Sequence, residues 1–176
     1  MKHLIAIALF VLTACQGTDV DTYRAGTPTL DMRQYMNGKL FGHGLSKDWA
    51  GDVTERFTID VNGAWEGNQG VITQDFSYDD GRTEHREWHV TVDDAGLIRG
   101  RTENKGNAVK GSQKGNALAM DYSIRRADGA DANEFDLTER LYLIDDLHAI
   151  DEVQIRRYEL PVGKMHIAYR KLNEWN

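Results

Sequence analysis

The chain has 176 residues, a net charge of −7 at pH 7, 17 glycines and two prolines. An acidic chain repels polyanions and anionic headgroups, so the composition argues against a nucleic-acid-binding protein. A hydrophobic fraction of 40% with 9% aromatic residues argues against disorder, and the length suits one domain with a sizeable core.

Residues 1–14 are predicted to be a secretory signal peptide. Lys2 supplies a positive first region, Leu4 to Leu12 form an apolar run, and small residues lead to Cys15. A transmembrane helix is disfavoured because the apolar run is much shorter than the roughly 20 residues that a spanning helix needs.

The segment Leu12-Thr13-Ala14-Cys15 resembles the lipobox of bacterial lipoproteins. The resemblance implies that the Cys15 thiol receives a diacylglycerol and becomes the first residue after cleavage. Cys15 is the only cysteine, and a single free thiol is unusual in an exported chain, so lipid attachment explains it. The alternative is an ordinary cleaved signal peptide with an incidental cysteine.

Gln16, and not Asp, follows the predicted lipid attachment site. By the sorting rule of Gram-negative lipoproteins, this resemblance favours the outer membrane. We therefore expect a cell-envelope protein that a lipid anchor holds on the periplasmic face of the outer membrane. Residues 15–29 are polar and aperiodic, which predicts a tether, and residues 30–176 are predicted to be a single domain. Within that domain, Leu30 to Tyr35 is either a helical turn or the approach to the first strand.

From Gly38 onward the dominant sequence period is two, which is typical of β-strands. Phe57, Ile59 and Val61 alternate with polar residues, and Asn62-Gly63 after them predicts a hairpin turn. Later segments repeat the alternation, with these predicted inward sets: Ile72, Phe76 and Tyr78; Trp88, Val90 and Val92; Leu118, Met120, Tyr122 and Ile124; Phe135, Leu137, Leu141 and Leu143; Val153 and Ile155; Met165, Ile167 and Tyr169.

Turn signals separate these segments, at Asp80-Gly81, Asp93 to Gly96, Asn104 to Gly106 and Ala127 to Gly129. The pattern predicts an all-β domain of nine or ten antiparallel strands, closed as a barrel or packed as a sandwich. Short links favour an up-and-down barrel. A membrane-spanning barrel is disfavoured because the outward parity is charged, for example at Glu87 and Arg125.

Glycine and aromatic motifs recur along the chain, at Tyr35 to Gly38, Phe57 to Gly67, Asp75 to Gly81, Arg86-Glu87-Trp88 and Gly115 to Leu118. In this order they resemble those of the bacterial lipoprotein family catalogued as domain of unknown function 3833. The resemblance covers nearly all of the chain after the signal peptide, although the C-terminal third departs from the family pattern. It implies a lipocalin-like, calycin-type β-barrel of about 8–10 strands, and it implies neither an established activity nor a cofactor.

Arg86 shares its parity with Trp88 and Val90, so its side chain is expected inside the barrel. A buried guanidinium needs a carboxylate partner or a ligand anion to offset its desolvation, and Glu84 and Glu139 fall on comparable inward positions. Two interpretations stay open: Arg86 binds the carboxylate or phosphate of a ligand, or it forms a structural ion pair.

Four aromatic residues share this predicted interior: Trp65, Trp88, Tyr78 and Tyr122. They either line an apolar ligand cavity or form an ordinary aromatic core. His85, Glu87 and His89 are spaced like zinc ligands, but their parity places them on the solvent face. We therefore predict no metal site. No catalytic motif is present, and the acidic pairs such as Asp93-Asp94 coincide with predicted turns.

The sequence hypothesis is a non-enzymatic envelope lipoprotein whose barrel binds a small apolar or amphipathic, lipid-like ligand. Arg86 would anchor the headgroup, and the tryptophans and tyrosines would form the wall. Two alternatives stay open: a filled barrel that serves as a platform for an envelope partner, and an enzyme acting on lipids.

Overall fold

The computed structural model describes residues 19–102, 108–128 and 131–172. These residues form a 3₁₀ turn at Val20–Tyr23, a short helix α1 at Met32–Tyr35, and ten strands. The strands are β1 Gly38–Asp48, β2 Val53–Glu66, β3 Gln69–Tyr78, β4 Thr83–Val92, β5 Leu97–Thr102, β6 Val109–Lys114, β7 Ala117–Asp128, β8 Asp131–Leu143, β9 His148–Arg157 and β10 Leu160–Lys171.

The ten strands close into one antiparallel barrel in which each strand pairs with its neighbour in sequence. β10 completes the closure on β1, in a register that runs from Leu40 opposite Lys171 to Asp48 opposite Gly163. Closure leaves no strand of the sheet with an unpaired edge, and it buries the apolar face inside the barrel. The up-and-down barrel predicted from the sequence is confirmed.

Strand parity also agrees with the sequence. In β2, Phe57, Ile59 and Val61 are 5%, 0% and 2% exposed, while Asp60 between them is exposed. The inward sets of the other strands join the same continuous hydrophobic core inside the barrel.

The hairpin predicted at Asn62-Gly63 is wrong. Strand β2 continues through this pair to Glu66, and the turn lies beyond it, where Gly67 has φ +57°. Gly63 is required for a different reason: a Cβ atom there would lie 1.7 Å from the carbonyl oxygen of Met36. The glycine therefore admits the backbone that follows α1, and it does not turn the chain.

Residues 19–29, predicted as part of a tether, pack against one end of the barrel. Val20 is 6% exposed, and the ring of Tyr23 meets the edge of Tyr142 at 5.2 Å between centroids. The backbone N–H of Leu30 donates to the Gly115 carbonyl at 2.8 Å. Apolar side chains such as Val20 are buried against the barrel, so this segment is packed and is not the free tether that was predicted. The signal peptide and Cys15 lie outside the described residues.

Helix α1 closes this end of the barrel, which we call the plugged end. Asp31 caps the helix by accepting from the Arg33 backbone N–H at 2.9 Å. Met32, Tyr35 and Met36 are 3%, 5% and 6% exposed and join the core. Within the described ranges, neither helix is long and apolar enough to cross a membrane.

The opposite end, which we call the mouth, carries the turns at residues 49–52, 79–82 and 158–159. Within the described ranges, no segment longer than a turn lies there. Trp49 and Tyr158 on two neighbouring turns are each 82% exposed, and Leu160 is 66% exposed. The two ends of the barrel therefore differ, since one is plugged by the chain and the other is rimmed by turns.

Lys171 fastens the plug to the barrel. Its Nζ donates to the carbonyl oxygens of Gln34, Tyr35 and Asn37 at 2.6, 2.8 and 2.7 Å. Lys171→Met keeps the aliphatic stem but removes these charged hydrogen bonds, so we expect it to lower the free energy of unfolding by about 1–2 kcal/mol. Urea denaturation measures this change, with exposed Lys39→Met as the matched control. An effect no larger than that of Lys39→Met would contradict the role of Lys171.

Candidate functional site

A polar cluster projects into the barrel from β3 and β4. The Arg86 Nε donates to Glu84 Oε1 at 2.7 Å, and the Tyr78 hydroxyl donates to Glu84 Oε2 at 3.1 Å. The side chains of Arg86 and Glu84 are 12% and 34% exposed. Arg86 is therefore inward, as its parity predicted, and Glu84 rather than Glu139 is its bonded partner.

The ion pair keeps both groups charged inside the barrel. Burial is the largest effect on the Glu84 carboxyl and disfavours its charge, but the hydrogen bond and charge of Arg86, with smaller contributions from Tyr78 and Arg126, together lower the pKa of Glu84. Burial is likewise the largest effect on the Arg86 guanidinium, but the hydrogen bond and charge of Glu84, with smaller contributions from Tyr122 and Tyr78, together raise the pKa of Arg86. A permanent cation is thus held inside the barrel.

Arg86 has unused hydrogen-bonding capacity. Only Nε donates to Glu84, while the guanidinium carbon stands 4.4 Å from the centroid of the Phe76 ring. Among the described residues, no oxygen accepts a hydrogen bond from the two terminal NH₂ groups. These two groups carry N–H donors that can bind the two oxygens of a carboxylate or phosphate at once, in a bidentate pair.

The aromatic residues predicted with Arg86 surround it, with one exception. Trp88 and Tyr122 meet edge to face with centroids 4.8 Å apart, and the Trp88 Nε1 donates to Gln74 Oε1 at 2.9 Å. Burial, and then Glu84, raise the pKa of Tyr78 to about 12, so its hydroxyl stays protonated and donates. The structure therefore brings together Tyr78, Arg86, Trp88 and Tyr122.

Trp65 lies apart from these four, near the plugged end of β2. Its ring covers Gly70, where a Cβ atom would stand 2.6 Å from ring carbons. Its Nε1 is buried and has no hydrogen-bond partner among the described residues. Trp65 also borders a cleft of about 640 Å³ on the outer wall of β2 to β5. It packs against the core but does not join the Arg86 cluster.

Two carboxyl groups from β8 and β9 form a second inward polar cluster. Glu139 is 9% exposed and accepts from the Tyr122 hydroxyl at 2.8 Å. Asp151 is 2% exposed, and its buried Oδ1 has no partner among the described residues. Burial raises the pKa of Asp151 well above its ordinary value, and nearby Glu139 raises it further. Burial also raises the pKa of Glu139.

Asp151 was not among the predicted site residues. A signal was present, because Asp151 shares its parity with the inward residues Val153 and Ile155 on the same strand. An acidic residue on the buried face of a strand indicates a candidate functional residue, because aspartate is rarely buried without a partner.

A salt bridge spans the mouth. Glu55 on β2 pairs with Arg126 on β7 and with Arg82 of the turn before β4 at 2.6 Å. β2 and β7 are five strands apart around the barrel, so this contact joins opposite walls. Both arginines also face the Tyr78 ring, at 4.6 Å for Arg82 and 5.9 Å for Arg126. Access from the mouth to Arg86 requires these side chains to separate.

The histidine group faces outward, as predicted. His85 Nδ1 lies 2.6 Å from Asp75 Oδ1, and His89 Nε2 lies 2.8 Å from Glu87 Oε1. Within the described ranges, no group of three or more histidine, cysteine or acidic side chains is arranged to hold a metal ion. Two further clefts also open on the outer wall: one of about 430 Å³ lies over β5 and β6, and one of about 260 Å³ lies over β8 to β10.

The closed ten-strand barrel with an inward polar cluster belongs to the calycin-like class of folds. Two solved structures share it. A protein of unknown function from the DUF3598 family of Nostoc punctiforme superposes with a TM-score of 0.58 at 11% identity, over 84% of this chain and 51% of that one. This chain therefore spans about half of that protein's length.

The second is the S-type phycobiliprotein lyase CPES from Guillardia theta, with a TM-score of 0.58 at 8% identity, over 81% of this chain and 92% of that one. At these identities both likenesses show the fold alone. No curated protein matches the chain. The profile of the family described as protein of unknown function (DUF3833) matches residues 9–171, and the chain belongs to that family.

Proposed function

We propose that this protein is a lipid-anchored protein of the bacterial cell envelope whose barrel binds an amphipathic ligand with an anionic head. Cys15 carries the anchor, and the outer membrane is the partner through that lipid. Binding, and not catalysis, is the proposed activity. The lipobox resemblance supports the anchor, and the interior of the barrel supports the binding.

One observation carries the binding proposal: the terminal NH₂ groups of Arg86 have no acceptor among the described residues, although its side chain is only 12% exposed. These donors are not among the fully buried side-chain atoms left without a partner, so solvent reaches them and they are available to a ligand. An anionic headgroup supplies the missing acceptors as a bidentate partner.

The surroundings of Arg86 suit the apolar part of the same ligand. Phe76, Trp88 and Tyr122 are 3%, 6% and 6% exposed and line the interior beside the guanidinium. Burying an acyl chain against such side chains contributes about 0.8 kcal/mol per methylene. A charged head on Arg86 and an apolar tail on the aromatic wall describe a fatty acid or a lipid derivative.

The anchor and the mouth are compatible with this role. The described chain begins at Asp19, at the plugged end, and four Cα steps from Cys15 reach at most roughly 15 Å. A lipid on Cys15 would therefore hold the plugged end near the membrane. The mouth would then face the periplasm, where it can receive a ligand.

Native mass spectrometry of the chain starting at Gln16, purified without detergent, tests the binding proposal. Every described strand pairing lies beyond this start, so the barrel and its plug are retained. We expect a stoichiometric apolar adduct, identified by organic extraction and lost in Arg86→Gln. Arg125→Gln on the outer face is the control. A clean unliganded mass that envelope lipids do not change would overturn the proposal, provided that circular dichroism shows a folded barrel.

The anchor has an independent test. Cells expressing the full chain are fed an alkyne-bearing palmitate, which labels lipoproteins through their acyl groups. We expect label on the wild type, recovered with the outer membrane, and no label on Cys15→Ser. Labelling of Cys15→Ser would contradict acylation at that residue.

A second candidate function is a platform for an envelope partner. Trp49 and Tyr158 are each 82% exposed on neighbouring turns of the mouth, and Leu160 is 66% exposed. Exposed aromatic and aliphatic side chains grouped in this way are typical of interaction surfaces. Cross-linking in cells distinguishes this candidate, because Trp49→Ser with Tyr158→Ser would abolish a cross-linked complex and leave a lipid adduct in place.

A further inference from the structure

The second inward cluster, Glu139 with Asp151, is not used by the anion site at Arg86. The two side chains lie diagonally across β8 and β9, because Asp151 pairs with Leu141 and Glu139 pairs with Val153. Diagonal neighbours on one face of a sheet are close enough for long side chains to act on a common group. Both therefore face the same part of the interior.

In this cluster a carboxylate oxygen lacks a donor, whereas in the Arg86 cluster the terminal NH₂ groups lack an acceptor, both among the described residues. Glu139 receives one hydrogen bond, from Tyr122, while Asp151 Oδ1 receives none from any described residue. A barrel needing only stability would place apolar side chains at these positions, since a buried acceptor without a donor is destabilising.

The two clusters form one connected surface. Tyr122 links them: its ring packs on Trp88, next but one to Arg86 on β4, and its hydroxyl binds Glu139. The Arg86 guanidinium is also close enough to Glu139 to favour the ionised form of that carboxyl. Counting only the described residues, the Arg86 side of the interior thus offers donors without acceptors, and the adjoining side offers Asp151 Oδ1, an acceptor without a donor.

The net charge of the barrel interior indicates which kind of donor would bind beside Glu139 and Asp151. Arg86 and Glu84 compensate each other, so a bound anion leaves the interior one negative charge in excess. Burial holds the carboxyls of Glu139 and Asp151 toward their neutral forms in the unliganded barrel, and the nearby Glu139 adds to this effect on Asp151. An ammonium group placed beside them would let one carboxyl ionise and form a charge-assisted hydrogen bond, which is stronger than a neutral one.

Resting on the proposed lipid-binding function, we propose that the ligand has a zwitterionic head: its anionic group binds the terminal NH₂ groups of Arg86, and its ammonium binds Asp151 and Glu139. The ligand class is then an amphiphile that bears a phosphate or carboxylate and a primary amine. Tyr122 and Trp88 lie between the two groups and separate their charges.

Isothermal titration calorimetry with two probe lipids tests this inference on the folded chain starting at Gln16. Lauroyl lysophosphatidylethanolamine and lauroyl lysophosphatidic acid share the phosphate and the acyl chain, and only the first carries an ammonium. We expect the wild type to bind the ethanolamine lipid about tenfold more tightly, as one charge-assisted hydrogen bond allows. Asp151→Asn is expected to abolish this preference, and the exposed control Asp60→Asn to keep it.

A second variant protects the test against misfolding. Asp151→Val removes the buried acceptor without leaving a cavity, so it should stay folded and show no preference for the lipid that carries the amine. Equal binding of both lipids by the wild type, lost in Arg86→Gln, would overturn the zwitterion inference and leave the proposed function standing. Binding of neither lipid would overturn both.

Discussion

Glu84→Gln is expected to lower the free energy of unfolding by about 2–3 kcal/mol at neutral pH, because it leaves the charge of Arg86 buried without its carboxylate. Breaking a fully buried ion pair costs about 3–5 kcal/mol. The Glu84 side chain is 34% exposed and the Arg86 side chain 12%, which reduces the figure. The Phe76 ring at 4.4 Å also retains part of the cation's stabilisation.

The effect of Glu84→Gln should depend on pH with a definite sign. The pKa of Glu84 is lowered in the folded state, so its stabilisation is present above its ordinary value of 4.5. That stabilisation is lost as the pH falls through the folded pKa. The difference between wild type and variant, measured by urea denaturation, should therefore be largest near neutrality and shrink in acid.

Two further variants make the Glu84 prediction specific. Glu87→Gln is the matched control, because Glu87 lies on the outer face of the same strand, where its contact with His89 contributes about 0–1 kcal/mol. Adding Arg86→Met to Glu84→Gln should recover most of the lost stability, since no buried charge then remains. A double variant as unstable as Glu84→Gln alone would show that Arg86 packing, and not its charge, is responsible.

Asp151→Val should stabilise the unliganded barrel by about 1–3 kcal/mol at neutral pH, the cost of a buried acceptor without a donor. Valine is only slightly larger than aspartate and suits a strand, so little overpacking is expected. Stabilisation by removing a polar group is the usual signature of a residue kept for binding, because such sites trade stability for function.

The gain from Asp151→Val should grow as the pH rises. The pKa of Asp151 is raised by burial and by Glu139, so the folded state holds a proton that the unfolded state loses above 3.8. The wild type therefore loses stability as the pH rises from that value toward the folded pKa, and the valine variant lacks this loss. Denaturation at about pH 4 and about pH 8 measures the trend.

Exposed Asp60→Val is the control for Asp151→Val and should change stability by at most about 0.5 kcal/mol. A valine variant that is less stable than wild type at both pH values would mean that Asp151 contributes to the fold itself. In that case the zwitterion inference would lose its structural basis.

The face of each strand was predictable because it depends on local geometry alone. Successive side chains of a strand point to opposite faces, so the parity of Trp88 and Val90 was enough to place Arg86 inside. The same rule would have placed Asp151 inside from its neighbours on β9. What parity does not state is whether an inward polar group has a partner, since that partner comes from another strand.

The error at Asn62-Gly63 shows where local rules stop. The dipeptide is a strong hairpin signal when only its own strand is considered. The conformation was decided instead by α1, whose following carbonyl at Met36 occupies the space above Gly63. Contacts of this kind join residues that are distant in sequence and leave no periodic signal.

The sequence by itself determined an all-β chain and the inward and outward faces of its strands, because strand alternation acts over a few residues. Its glycine and aromatic motifs carried the resemblance to its family. Only the tertiary structure decided that Glu84 partners Arg86, that Asp151 Oδ1 has no donor among the described residues, and that Glu55 meets Arg126 across the mouth. These contacts depend on strand number, register and closure of the barrel, which place side chains from opposite walls together.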